Sequence, residues 1–123
     1  MIGNKKGHIG ENFASEFLRK QGYNIVKENY TDRYGEIDII AEKDGYIVFA
    51  EVKARKTGSL VGASEAVTPD KQKKIIKASL KFLQTLDREL QPRYDVIAIE
   101  LSGEKVCSVK HIKSAFDAEG FFI

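Results

Sequence analysis

Two acids and one lysine, Asp38, Glu51 and Lys53, are the residues best placed by type and spacing to do chemistry. They stand in Gly35-Glu36-Ile37-Asp38-Ile39-Ile40-Ala41 and in Val48-Phe49-Ala50-Glu51-Val52-Lys53-Ala54-Arg55. Lys43-Asp44-Gly45 lies between the two segments and predicts a tight hairpin centred on Asp44-Gly45. In that register Lys43 faces Tyr46, Asp38 falls opposite Glu51, and Glu36 falls opposite Lys53. Period two puts Glu36 and Asp38 on one side of their strand, with Glu51 and Lys53 on the matching side of the next. Directly opposed side chains have Cβ atoms about 4.5–5.5 Å apart. Two ionised carboxylates at that separation repel, so a shared proton, a lysine or a divalent cation has to offset them. Hard oxygen ligands suit Mg²⁺, with Mn²⁺ as a second choice, because such ions take one or two carboxylates, waters and phosphate oxygens. Lys53 reaches the same point and is suited to orient or deprotonate a water, or to stabilise charge on a phosphate. The chemistry implied is metal-assisted phosphodiester hydrolysis.

The same residues would also make ordinary surface salt bridges, Glu36 with Lys53 and Asp38 or Glu51 with Arg55. Glu51 weighs against that reading. It follows the apolar run Tyr46 to Ala50 and precedes Val52, and an acid embedded in a core strand is costly without a partner.

These residues need elements to hold them. Ile9, Phe13 and Phe17, widened by Ala14 and Leu18, predict a helix from about Lys6 to Gln21, with Gly22 at its C-terminal end. Glu11 lies off that stripe, on the edge of the apolar face, as a solvated acid or a capping partner of Lys5 or Lys6 would. Tyr23 to Tyr30, Glu36 to Ala41 (with Ile37, Ile39 and Ala41 on one face) and Tyr46 to Arg55 read as strands. Lys56 to Val67 reads as a loop long enough to be functional. Thr68-Pro69-Asp70 starts a helix that carries Ile75, Ile76, Phe82, Leu83, Leu86 and Leu90 inward and ends at Pro92. Tyr94 to Leu101 reads as a strand covered on both faces, Val106 to Lys110 as another, and Ile112 to Ala118 as a short terminal helix. The expected architecture is α/β, a mixed central sheet flanked by helices in the order α-β-β-β-α-β-β-α.

Composition bounds the partners. The 123 residues fit a single domain, residues 1–123. With no apolar run longer than Tyr46 to Ala50, neither a membrane-spanning helix nor a signal-peptide core is expected. The single cysteine, Cys107, is expected to be buried; it excludes an internal disulfide and makes a reducing, cytoplasmic setting the default. His8 and His111 cannot build a three-histidine zinc centre. Net charge is +2 but uneven: Lys53 to Lys81 holds eight basic residues against two acids. That asymmetry suits a polyanion. Arg55 and Lys56 flank the acids, while Lys74, Lys77 and Lys81 line one helix face, either to track phosphates or as a solvated surface. Tyr30 and Tyr34 read as core rim.

Taken whole, the two segments resemble the PD-(D/E)xK nuclease signature. More closely the chain is similar to the YraN family, which has an endonuclease-like fold related to that of archaeal Holliday-junction resolvases. Gly10-Glu11 with Ala14, Glu65-Ala66-Val67, Lys71 onward, Tyr94-Asp95-Val96, His111-Ile112 and Ala115-Phe116 extend the resemblance over nearly the whole chain. It implies a restriction-endonuclease-like core and a metal-dependent DNA endonuclease, either selective for branched or structured DNA or nonspecific. It further implies Asp38 and Glu51 as metal ligands with the Val52 carbonyl, Lys53 as the catalytic lysine, and Glu11 as an additional acid. Lys71, Gln72 or Lys74 matches a polar residue supplied by the following helix. Ile37 stands where the nominal motif has proline. The competing function is a non-catalytic nucleic-acid-binding module on the same scaffold. RNA remains open as a partner, and a two-fold dimer is the geometric expectation for a branched substrate.

Overall fold

The computed structural model describes residues 5–58 and 67–119. Seven elements follow one another: α1 (Lys5–Lys20), β1 (Asn24–Asp32), β2 (Gly35–Lys43), β3 (Tyr46–Lys56), α2 (Pro69–Leu83), β4 (Gln91–Ser102) and β5 (Lys105–Phe116). The strands form one sheet in sequence order; β3 and β4 run parallel and the other neighbours antiparallel. A parallel pair needs a crossover, and α2 supplies it. The result is the expected mixed sheet between helices.

Alternation along β3 builds two cores. Ile47 and Phe49 pack with Ile75, Ile76, Ala78 and Phe82 of α2. Val48 and Ala50 pack with Ala14 and Leu18 of α1 on the other face. Gly10 lets α1 approach closely, since a Cβ there would lie 2.9 Å from the Ala54 Cβ. Gly22, at φ +94°, reverses the chain after α1, and Tyr23 N–H bonds back to the Leu18 carbonyl. Thr68 caps α2 as expected, its hydroxyl accepting from Lys71 N–H at 3.2 Å.

Four expectations give way. Helix α2 stops at Leu83, not at Pro92. Strand β4 has to begin level with Tyr46 to pair along all of β3, so Pro92 sits in a strand opposite Ile47. Leu86 and Leu90 still pack against the α2-side core, from the connection rather than the helix. The short terminal helix is absent from residues 112–116, which continue β5. Ile112 and Phe116, four apart, share a face in a strand as well as in a helix. A register shift between Tyr94 and Val96 accommodates the extra residues, with Ser114 at φ +53°. Ile37 does not share a face with Ile39 and Ala41: it packs on the α2 side and they pack on the α1 side. Cys107 is exposed rather than buried. Most of the expected 56–67 loop, with Glu65 and Ala66, lies outside the described residues. No helix among those described is long and apolar enough to cross a membrane.

Candidate active site

The hairpin that carries the acids forms in the predicted register, from Lys43↔Tyr46 to Ile39↔Ala50. There the ladder stops. Asp38 and Glu51 are not a ladder pair, nor are Glu36 and Lys53. Instead the Asp38 side chain crosses to β3 and accepts the Val52 N–H at 2.8 Å. On the other flank of β2, Asn29 takes φ +53° between the pairs Glu28↔Ile39 and Tyr30↔Ile37. Level with it, the alternation of β2 switches at Asp38, so Ile37 and Ile39 lie in opposite cores.

Glu51 continues the Ile47, Phe49 row of β3 towards α2 and is 4% exposed. Its partner is Lys71, whose Nζ bonds directly to Oε1. Lys53 Nζ lies 4.0 Å from the same oxygen. Asp38, Glu51, Lys53 and Lys71 thus form one interacting group contributed by β2, β3 and α2. Burial raises the Asp38 carboxyl above the ordinary aspartate value, against the Val52 N–H and Lys71, which lower it. Burial and then the charge of Asp38 push Glu51 up to about 7. Burial and the neighbouring Lys71 lower the Lys53 amine. Burial is the largest single influence on the Lys71 ammonium and works against it, but its bond to Glu51, the charges of Glu51 and Asp38 and its contact with Lys53 together raise it.

Glu11 sits on α1, on the other side of the sheet, partly buried. Its carboxyl is raised by burial and next by the charge of Asp38. No group of three or more His, Cys, Asp or Glu side chains close enough to hold a metal occurs among the described residues. The chemistry offered to a cation is therefore the Asp38–Glu51 pair. A strand residue presents its N–H and C=O on the same side, so the Val52 carbonyl also faces the gap beyond Ala50. Two carboxylates and a carbonyl fit Mg²⁺ or Mn²⁺, which keep several waters.

The remaining basic candidates divide. Lys74 lines a cleft of about 330 Å³ with Gly35, Glu36, Thr68, Asp70 and Lys71. Arg55 extends the Glu51, Lys53 row, beside Glu100 of β4, and its Nε is buried without a hydrogen-bond partner among the described residues. Lys56 is exposed at the end of β3, and Lys77 and Lys81 are exposed along α2.

Two features escaped the sequence reading. One is the bond of Lys71 to Glu51. The available signal was a lysine in the first turn of a helix, where the dipole disfavours a cation, with a buried acid in need of a partner. The other is a polar cluster on the α1 side. Asp95 is fully buried and accepts from Arg93 at 2.8 Å, from the Ser114 N–H at 3.0 Å, and pairs with His111 at 2.7 Å. Arg93 also donates to the Tyr23 hydroxyl at 2.7 Å. Burial opposes ionisation of Asp95, but these bonds outweigh it and lower its carboxyl below the ordinary value. The cluster fastens the irregular stretch of β5 to β4. An acid inside the apolar run Tyr94 to Leu101 was its sign.

Residues 10–99, which include Glu11, Asp38, Glu51, Lys53 and Lys71, match the family described as Uncharacterised protein family UPF0102. The chain belongs to this family. It is 44% identical over 115 residues to a UPF0102 protein of Syntrophus aciditrophicus, covering 92% of this chain and 89% of that one. A UPF0102 protein of Caldanaerobacter subterraneus is 41% identical over 118 residues, covering 92% and 97%. One of Myxococcus xanthus is 40% identical over 113 residues, covering 91% and 89%. UPF0102 is thus the YraN-like family that the sequence resembles. Its match takes in both acids and both lysines of the site and stops short of His111.

Proposed function

We propose that this UPF0102 chain is a divalent-metal-dependent DNA endonuclease of the PD-(D/E)xK kind, acting on branched or structured DNA. The observation that carries the reading is the Asp38–Glu51 pair, Glu51 buried and Asp38 half-buried, with Lys53 within 4.0 Å of Glu51. Asp38, Glu51 and the Val52 carbonyl would hold Mg²⁺ or Mn²⁺, with Glu11 reaching it directly or through water. A bound cation supplies charge neutralisation at the scissile phosphate and acidifies a water. Hydrolysis joins the water oxygen to phosphorus, breaks one P–O ester bond and returns a proton to the departing oxygen. Lys53, its amine weakened as a base towards the useful range by burial, takes the proton from the attacking water or steadies charge on the phosphate. Arg55, Lys56, Lys71 and Lys74 supply backbone contacts, which carry no base sequence information. A two-fold dimer would let so small a domain address both strands of a junction. A cytoplasmic setting belongs to the same reading.

One observation favours the rival reading, a nucleic-acid-binding module that keeps the scaffold without catalysis. Lys71 already neutralises Glu51 without any metal ion. Cleavage of linear duplex, single strand, fork, four-way junction and RNA in Mg²⁺ or Mn²⁺ separates the two. The endonuclease cuts a branched DNA as wild type, and Asp38→Asn and Lys53→Ala abolish cutting. Equal binding by all three proteins with no cutting supports the module. Cutting of RNA alone would move the substrate class.

A further inference from the structure

We propose that Lys71 is a resident counter-cation of the acid pair, which a divalent metal must displace, and that the displaced ammonium turns to the nucleic-acid backbone. The inference rests on reading Asp38 and Glu51 as metal ligands, and it concerns how the site loads.

The two partners of the Lys71–Glu51 bond differ in freedom. Glu51 is 4% exposed, and its backbone is held in the ladder to β4 opposite Val96. The Lys71 side chain is 41% exposed. Its backbone is fixed in the first turn of α2 by the Thr68 cap. The side chain is the part that can leave. Nothing in the helix keeps it where it is, because the positive end of the helix dipole repels an ammonium. The acid pair holds it.

Charge decides what a metal does. With both acids ionised and Lys53 and Lys71 both protonated, the four charges balance. A divalent cation among them leaves a surplus of two positive charges in a poorly solvated spot, so one ammonium has to withdraw. Lys53 is the less exposed, at 24%, and grows from the strand itself. Lys71 is the one with somewhere to go. It already borders the cleft of about 330 Å³ that also contains Glu36, Asp70 and Lys74. There Lys71 and Lys74, three apart, share one helix face and present a pair of cations beside the scissile position. Metal and phosphate then favour each other, since each relieves what the other would find unfavourable, and linkage makes the effect mutual.

Titration calorimetry with MnCl₂ on wild type, Lys71→Met and Asp38→Asn tests this. Removing the competitor makes Lys71→Met bind Mn²⁺ at least about tenfold tighter than wild type, as expected when a charge-assisted hydrogen bond no longer has to break. Asp38→Asn takes up little or none, which locates the ion. Lys71→Gln keeps a donor for Glu51 without the charge, and is the variant to use if Lys71→Met does not fold. Equal or weaker binding by the folded Lys71 variants, with wild type binding normally, overturns the counter-cation and leaves the acid pair as a metal site. Absence of uptake by wild type and folded Lys71 variants alike overturns both.

Discussion

The backbone N–H of Val52 donates to the carboxylate of Asp38 at 2.8 Å, across the point where the β2–β3 ladder ends. A side chain has taken the place of a main-chain carbonyl. The bond holds Asp38 against β3, next to Glu51, and it ends the regular pairing that would have kept the acids on a flat sheet. Asp38 therefore serves the fold and the site through different properties, its acceptor oxygen and its charge. Asp38→Asn preserves an acceptor and should fold nearly as well as wild type while losing divalent-metal binding. Asp38→Ala leaves a partly buried N–H unpaired and should be less stable than Asp38→Asn by about 1–3 kcal/mol. Denaturant unfolding of the two variants, beside metal titration, checks this; equal stability would mean that the bond does not hold the strands.

Glu51 makes stability depend on pH. Burial and Asp38 raise its carboxyl from the ordinary 4.5 to about 7. Between those values the folded chain keeps a proton that the unfolded chain has released. That contribution is fully present below about pH 4.5 and is lost as pH rises through about 7. Glu51→Gln should flatten the profile in this window, because glutamine has no proton to hold or release there. Unfolding free energies measured across the window decide it, and parallel curves for the two proteins would contradict a proton-holding Glu51.

Gly10 sets the distance between α1 and β3. Alanine is the better helix former by about 1 kcal/mol, yet a Cβ at Gly10 would meet the Ala54 Cβ at 2.9 Å. Gly10→Ala should therefore destabilise, by about 1–3 kcal/mol, through overpacking. A rise in melting temperature would show that α1 can shift without cost.

Asp95 belongs to the fold rather than to the acid site. It faces α1 with Arg93, His111 and Tyr23, whereas Glu51 faces α2. Asp95→Asn removes the charge that Arg93 and His111 surround and should cost about 3 kcal/mol or more. The folded fraction of the variant should still bind Mn²⁺ as wild type does. Lost metal binding in folded protein would join the two clusters functionally.

Much of this was legible in the sequence because the signals were local. Asp44-Gly45 fixed a hairpin register that holds from Lys43↔Tyr46 to Ile39↔Ala50, and Thr68-Pro69-Asp70 marked the start of α2. The convergence of Asp38, Glu51 and Lys53 followed from that register in outline. What was not legible depends on partners distant in sequence. The switch of face at Asp38 lies level with an irregularity at Asn29 on a neighbouring strand, distant in sequence. The end of α2 at Leu83 is set by where β4 must begin beside Tyr46. The extension of β5 through Phe116 depends on Asp95, which takes up the Ser114 N–H outside the regular ladder. The Lys71–Glu51 bond joins two elements across a crossover, and only the helix dipole hinted at it.

The proposed chemistry requires one divalent cation to bridge Asp38 and Glu51. Crystals of the wild-type protein soaked in MnCl₂ and measured for anomalous scattering test it directly. The account predicts a single strong peak between the two carboxylates, with Lys71 Nζ withdrawn from Glu51. No peak at that position, with the Lys71–Glu51 bond intact at saturating Mn²⁺, would contradict it.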